Sequence, residues 1–274
     1  MTILADSHLH SSFSNDSDTP MEEMILRGIE IGLTHMCFTE HQDFDFPDTP
    51  GYPPASADCL LTDAYLYDLL RFQEKYINQI RLHFGIELGL QPHVAALNEA
   101  LAKAYDFDFI IGSSHACQGY NPYYPPFFAD KTNEEAYAIY FDSIWENLQV
   151  FNDYDVLGHL DYVVRYGKQP NRYYESIDLY QDVFDRILRH LIANGKGIEL
   201  NTGGIKNGLK EFHPATILLR RYLALGGEVI TIGSDSHQTK GIAQHFDQAC
   251  ELLRSLGFRY YAIFIKRKPV FYPL

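Results

Sequence analysis

Seven times along this chain a short apolar or β-branched run gives way to a longer segment of helical period, and that alternation limits the fold more than any other feature. It is the pattern of βα units around a parallel sheet, because two parallel strands can be neighbours only if a crossover, usually a helix, joins them. The runs predict strands near 2–6, 35–39, 83–88, 108–112, 155–158, 197–200 and 229–232. Helices are predicted over 20–32, 61–82, 92–104, 133–150, 174–194, 214–225 and 242–256. In the first helix Thr19 reads as the N-cap, Pro20 suits the first turn, Glu22 and Glu23 favour the N-terminal dipole, and Gly32 stops the helix.

Polar motifs sit where those strands end. Asp6-Ser7-His8-Leu9-His10, Thr39-Glu40-His41, Ser114-His115, Gly158-His159-Leu160-Asp161 and Ser234-Asp235-Ser236-His237 hold six of the twelve histidines. Neutral imidazole and carboxylate suit zinc, iron or manganese, and a site holding several ions needs bridging carboxylates beside terminal histidines. Glu87, in Gly85-Ile86-Glu87-Leu88-Gly89, is a candidate bridge. In a βα barrel the rim beyond the strand ends is the active-site face, and Asn201 falls on it with the motifs above. The pattern reads as a multinuclear metal centre. Asp6 reads as a carboxylate that orients its neighbours. His35, His83, His190, His213 and His245 read as structural, whereas His93, after the loop that follows Glu87, is placed to touch a substrate.

A chain of 274 residues, 46% of them hydrophobic, can bury a sizeable core, and no linker, repeat or low-complexity tract divides it, so one domain over 1–274 is expected. A net charge of −14 disfavours nucleic acid and anionic membrane as partners. Cys37, Cys59, Cys117 and Cys250 are widely spaced, which argues against a disulfide framework or zinc ribbon and points to the reducing cytoplasm. Met1-Thr2-Ile3-Leu4-Ala5-Asp6 lacks the basic start of a signal peptide. Long connections at 42–60 and 116–132, rich in Asp, Pro, Gly, Phe and Tyr, are expected to form lids or substrate walls.

With its motifs in this order, the chain resembles the PHP (polymerase and histidinol phosphatase) superfamily, and within it the histidinol-phosphatase branch. The resemblance runs nearly end to end, through His8-Leu9-His10, Phe38-Thr39-Glu40-His41, Gly85-Ile86-Glu87, Ile111-Gly112-Ser113-Ser114-His115, Gly158-His159-Leu160-Asp161-Tyr162, Glu199-Leu200-Asn201-Thr202 and Gly233-Ser234-Asp235-Ser236-His237. The run from Gly158 to Arg165 and the segment Asn201-Thr202-Gly203 point to the branch.

What the resemblance implies is a distorted (β/α)7 TIM-like barrel holding three divalent metal ions, with zinc, manganese and iron all acceptable. Carried over by motif, His8, His10, Glu87 and Asp235 would bind the first ion, Glu87, His115 and His159 the second, and Asp16, His41 and His237 the third. Asp16 ranks above Asp18 on spacing. The implied reaction is hydrolysis of a small phosphate monoester, L-histidinol phosphate, to L-histidinol and phosphate, a step of histidine biosynthesis, through a hydroxide bridging two metals. Arg165 is the candidate phosphate clamp, with Lys206 a second cation. Asp161 or a metal-bound water is the candidate for the leaving-group proton; Glu40, next to His41, is placed to order that imidazole or to bind the substrate ammonium, and His93 and Asn201 are candidate substrate contacts. The same motifs leave open a PHP-type phosphatase acting on a nucleotide or phosphotyrosine, and a non-catalytic PHP module supporting a partner. Native metal and oligomeric state stay open.

Overall fold

Seven parallel strands follow one another in chain order across a single sheet. The computed structural model describes residues 3–52 and 60–274, so Cys59 lies outside the described residues. The strands are β1 (Ala5–Leu9), β2 (His35–Gln42), β3 (Arg81–Gly89), β4 (Phe109–Ser113), β5 (Val156–Leu157), β6 (Gly197–Asn201) and β7 (Ile230–Gly233). The helices are α1 (Met21–Glu30), α2 (Thr62–Lys75), α3 (Ala95–Ala104), α4 (Asn133–Val150), α5 (Tyr173–Ser176), α6 (Gln181–Ala193), α7 (Gly203–Lys206), α8 (Thr216–Ala224) and α9 (Phe246–Leu256). Beyond the last strand of the sheet, β7 returns to β1: Asp235 N donates to His8 O and His10 N to Ser236 O, each at 3.0 Å. The sheet thereby curls into a nearly closed barrel.

Strand alternation sorts the core into two parts. Phe38, Ile86, Ile110, Leu157, Ile198 and Ile232 face the helices in the main core, whereas Cys37, Phe109, Ile111 and Val156 form a smaller cluster within the barrel. That inner cluster is completed by Ala262 and Phe264 from an antiparallel hairpin, β8 (Tyr260–Ile265) and β9 (Lys268–Pro273), which the sequence reading does not anticipate. Phe264 stacks on Phe109 with centroids 5.0 Å apart. Lys266 N and Arg267 N donate to Asp108, just before β4, and Arg267 Nε donates to Asp155 at 2.6 Å. The hairpin therefore closes the N-terminal end of the barrel, leaving the C-terminal rim as the open mouth.

Several boundaries differ from expectation. The first strand was expected over 2–6 but occupies Ala5–Leu9, because its ladder to β2 continues to a Leu9–Phe38 pair, and this carries the His8 side chain into the barrel. The helix expected over 61–82 ends at Lys75, and backbone bonds from Gln79 and Ile80 to Tyr76 turn the chain into β3. The helix expected over 174–194 is broken by a 3-10 turn at Ile177–Tyr180. The one expected from 242 starts at Phe246, since Ala243 and His245 take φ of 52° and 65°. Thr19 does not cap α1; its hydroxyl donates to His237 O at 3.0 Å, tying the helix start to the β7 loop. Gly32, at φ 83°, does end the helix turn.

Candidate metal centre

β3 carries Glu87 to the middle of the barrel mouth, where its side chain is fully buried. Oε1 lies 3.2 Å from His115 Nε2 and 3.1 Å from His159 Nε2. Oε2 lies 3.1 Å from His8 Nε2, 3.1 Å from His41 Nδ1 and 3.5 Å from His10 Nε2. Asp235 Oδ1 sits 3.5 Å from His10 Nε2 and 3.7 Å from His8 Nε2. Further out, Asp16 Oδ2 is 3.0 Å from His237 Nε2 and 3.6 Å from His41 Nε2, while Asp18 is exposed and away from the cleft.

These donors fit a metal better than they fit one another. His10 Nε2, His41 Nδ1 and His237 Nε2 are buried with no hydrogen bond, although each has a carboxylate oxygen within 3.5 Å. Buried polar atoms are normally paired, and lone pairs converging on shared points are what a cation satisfies. Groups of three donors, among them His8, His10 and Glu87, and Glu87, His115 and His159, have their atoms within 4.8 Å of one another. The mixed nitrogen and oxygen set suits zinc, manganese or iron.

Carboxylates and hydroxyls behind the rings fix which nitrogen points inward. Glu199 Oε1 takes His8 Nδ1 at 2.6 Å, and Asp43 Oδ1 takes His115 Nδ1 at 2.9 Å, leaving both Nε2 lone pairs aimed at Glu87. Glu199 Oε2 also accepts from His159 N and Asn201 Nδ2. Glu199 and Asp43 are functional residues that sequence reasoning missed. Asp6 orients backbone, not a ring: it accepts from Ser234 N at 3.0 Å and Ala243 N at 2.9 Å, and burial raises its pKa to about 6.

The electrostatics follow from this crowding. Burial opposes ionisation of Glu87, yet the imidazoles of His8, His115 and His41 hold it well below the usual carboxylate range. Burial likewise disfavours charge on His8, but Glu199 and Glu87 lift it well above its ordinary value. His10 is pushed well below, first by burial and then by His41 and His237, toward the neutral form that binds metals.

Above the donors opens a cavity of about 510 Å³. It is lined by His41, His115, His159, Asp235 and His237, by Tyr162, Arg165 and Tyr166, and by Phe46, Asn121, Tyr123 and Tyr124 from the two long connections, with Tyr123 packed edge-on against Tyr166 at 5.3 Å. The Tyr52 and Tyr124 rings meet at 4.4 Å, so those connections touch; residues 53–59 lie outside the described residues. The Arg165 guanidinium lies 4.5 Å over the Tyr162 ring, its Nη2 without a hydrogen bond and 3.8 Å from Asp235 Oδ2.

The remaining candidates do not line this cavity. Glu40 is buried against Ser11 and Ser14, burial raising its pKa to about 7, and Ser14 passes its influence to His10 Nδ1 at 3.2 Å. It orders an imidazole and is not exposed to a substrate. Asp161 is closed off too, its oxygens taken by His213 Nδ1 at 2.5 Å and Ala215 N at 2.9 Å, so it is not placed to protonate a leaving group. Asn201 is buried with its amide bonded to Glu199 and its oxygen to Gly203 N. His93 stands on the surface paired with Asp45 at 2.8 Å, and Lys206 ends α7 outside the cleft.

The PHP domain family matches residues 6–203. The histidinol-phosphatase of Lactococcus lactis is 31% identical over 260 residues, 94% of this chain and 93% of that protein. A probable histidinol-phosphatase of Clostridium acetobutylicum is 28% identical, covering 98% and 97% of the two chains. Among solved structures, the L. lactis histidinol phosphate phosphatase complexed with zinc, L-histidinol and phosphate aligns at TM-score 0.85 and 30% identity over 97% of this chain and 98% of that one. A putative histidinol phosphatase from Listeria monocytogenes, 18% identical over 90% of this chain and 100% of that one, shares the fold at TM-score 0.73.

Proposed function

The chain belongs to the PHP domain family, and on that premise we propose that it is a metal-dependent phosphomonoesterase hydrolysing L-histidinol phosphate to L-histidinol and phosphate. The observation that carries this reading is a buried Glu87 with five imidazole nitrogens within 3.5 Å of its two oxygens, opening onto a cleft lined by Arg165. The L. lactis match, by a name that states this activity and by a structure solved with zinc, L-histidinol and phosphate, supports the choice of substrate.

Three divalent ions, zinc, manganese or iron, would be held by His8, His10, Glu87 and Asp235, by Glu87, His115 and His159, and by Asp16, His41 and His237. Bound there, the ions would supply a nucleophile from water near neutral pH and offset charge on the phosphoryl group and leaving oxygen. The protein's own part is positioning. Glu199, Asp43 and Ser14 hold the rings of His8, His115 and His10 in the tautomers that expose Nε2. Arg165 grips the phosphoryl oxygens, its plane steadied on Tyr162. Tyr123, Tyr124 and Phe46 give the cleft aromatic faces suited to an imidazole ring. A small-molecule substrate agrees with a cavity of about 510 Å³ and a net charge of −14. Buried free thiols at Cys37, Cys117 and Cys250 support a reducing, cytoplasmic setting. Among the described residues no helix is long and apolar enough to cross a membrane.

The test is phosphate release from L-histidinol phosphate against a panel of nucleotide, phosphotyrosine and sugar phosphates, with chelator and with zinc or manganese restored. Chelator-sensitive turnover favouring histidinol phosphate is expected. Preference for another ester would overturn the substrate, and metal-loaded protein inert on every ester would overturn the phosphatase reading.

A further inference from the structure

A buried pair beside the cleft, Asp161 and His213, has no part in the chemistry above. His213 is fully buried, and its backbone is fixed to the end of β6 by bonds to Asn201 O at 3.0 Å and from Asn201 N at 2.7 Å. Its Nδ1 meets Asp161 Oδ1 at 2.5 Å, while Asp161 Oδ2 is occupied by Ala215 N. A carboxylate on Nδ1 selects the tautomer with the proton there, so Nε2 presents a lone pair. Arg165 Nε donates to that lone pair at 3.4 Å.

We infer that Asp161 and His213 are positioning residues: through Nε they lock the guanidinium plane of Arg165, whose Nη2 lies 3.8 Å from Asp235 Oδ2, at the cleft where the phosphoryl group would bind. The inference rests on the reading of Arg165 as the phosphate clamp. Tyr162 supports one face of the guanidinium but does not stop it turning within its plane; the bond at Nε restrains that turn, beside the contacts with Tyr166 and Asp235. A clamp left free to turn loses much of its hold on a two-point ligand, because orientation fixed in advance is what makes a bidentate contact tight.

The experiment compares wild type, R165A, H213L, H213Q and the R165A/H213L double variant, all zinc-loaded. It reads KM and kcat for histidinol phosphate and competitive inhibition by inorganic phosphate. H213L should raise KM and weaken phosphate inhibition by about tenfold with kcat much less affected, as a misaligned binding group does. H213Q, whose amide oxygen can replace the Nε2 lone pair, should recover most of the loss. The double variant should be no worse than R165A alone, since both changes remove one interaction. In the unsubstituted protein, 15N NMR should show His213 protonated at Nδ1 and bare at Nε2, a readout that stands even if H213L fails to fold. A protonated Nε2, unchanged phosphate inhibition in H213L, or additive losses in the double variant would overturn the relay while sparing the clamp. Unchanged phosphate inhibition in R165A would remove the clamp and the relay with it.

Discussion

Replacing Glu199 with Gln exchanges one buried oxygen for an NH2 group, and the structure sets what that exchange does. Oε1 accepts from His8 Nδ1 at 2.6 Å, and Oε2 accepts from His159 N at 2.9 Å and Asn201 Nδ2 at 3.1 Å. An amide has only one acceptor oxygen. If that oxygen stays on His8, the NH2 faces two donors, and two hydrogen bonds to a charged acceptor, each worth roughly 1.5–3 kcal/mol, are lost. If it turns the other way, the NH2 faces His8 Nδ1 and drives the proton to Nε2, removing the lone pair aimed at the metal, which lowers metal affinity by about 10–100-fold. The first orientation should cost about 3–6 kcal/mol of stability in chelator-treated protein, a Tm drop of about 6–24 °C for a chain of this size. The second should spare much of the Tm and show as weaker zinc binding in a competition titration against a chromogenic chelator. Wild-type Tm together with wild-type zinc affinity would refute the assignment of Glu199 as the carboxylate that holds His8.

Glu87→Ala should abolish turnover while circular dichroism shows the fold retained; wild-type rates after metal restoration would sink its bridging role. Gly89→Ala places a Cβ 1.9 Å from Asp43 Oδ1 and must push that carboxylate off His115, so metal-dependent activity should fall by about tenfold or more, with unaltered zinc content and rate counting against the Asp43 assignment. At the closed end of the barrel, burial, with help from His83 and Arg81, lowers His35 from 6.5 to about 4. The unfolded chain therefore takes up a proton that the folded protein refuses, so this contribution to stability is complete above pH 6.5 and is lost as pH falls from 6.5 toward 4. Tm of His35→Asn should decline less than that of wild type across this window, and parallel curves would contradict the shift.

The barrel order was legible because each βα unit writes its own period locally, and the rim was legible because ligand-type residues fall at strand ends. Support for those residues was not, since it depends on partners far apart in the chain: Glu199 is 191 residues from His8, and Asp43 is 72 from His115. His213 read as structural because its role appears only when Asp161, 52 residues away, and Arg165 are brought to it. Nearness to the rim in sequence also does not fix direction. Glu40 and His41 are adjacent on β2, where successive side chains alternate, and only His41 lines the cavity. The final hairpin escaped notice because its turn uses Lys266 and Arg267 at φ of 49° and 62°, where Gly or Asn would have announced it.

That hairpin also bears on how the protein can be made. Phe109, Ile111 and Val156 come from β4 and β5, yet the residues that cover them, Ala262 and Phe264, follow all seven strands of the sheet in the sequence. A chain emerging from the ribosome can lay down all seven sheet strands and assemble the donors of the mouth while the far end of the barrel is still wet. Drying of that end, and the cooperativity it brings, awaits the β8–β9 hairpin, so a nascent or clipped chain ending near 258 would carry every candidate metal ligand inside a barrel without a floor.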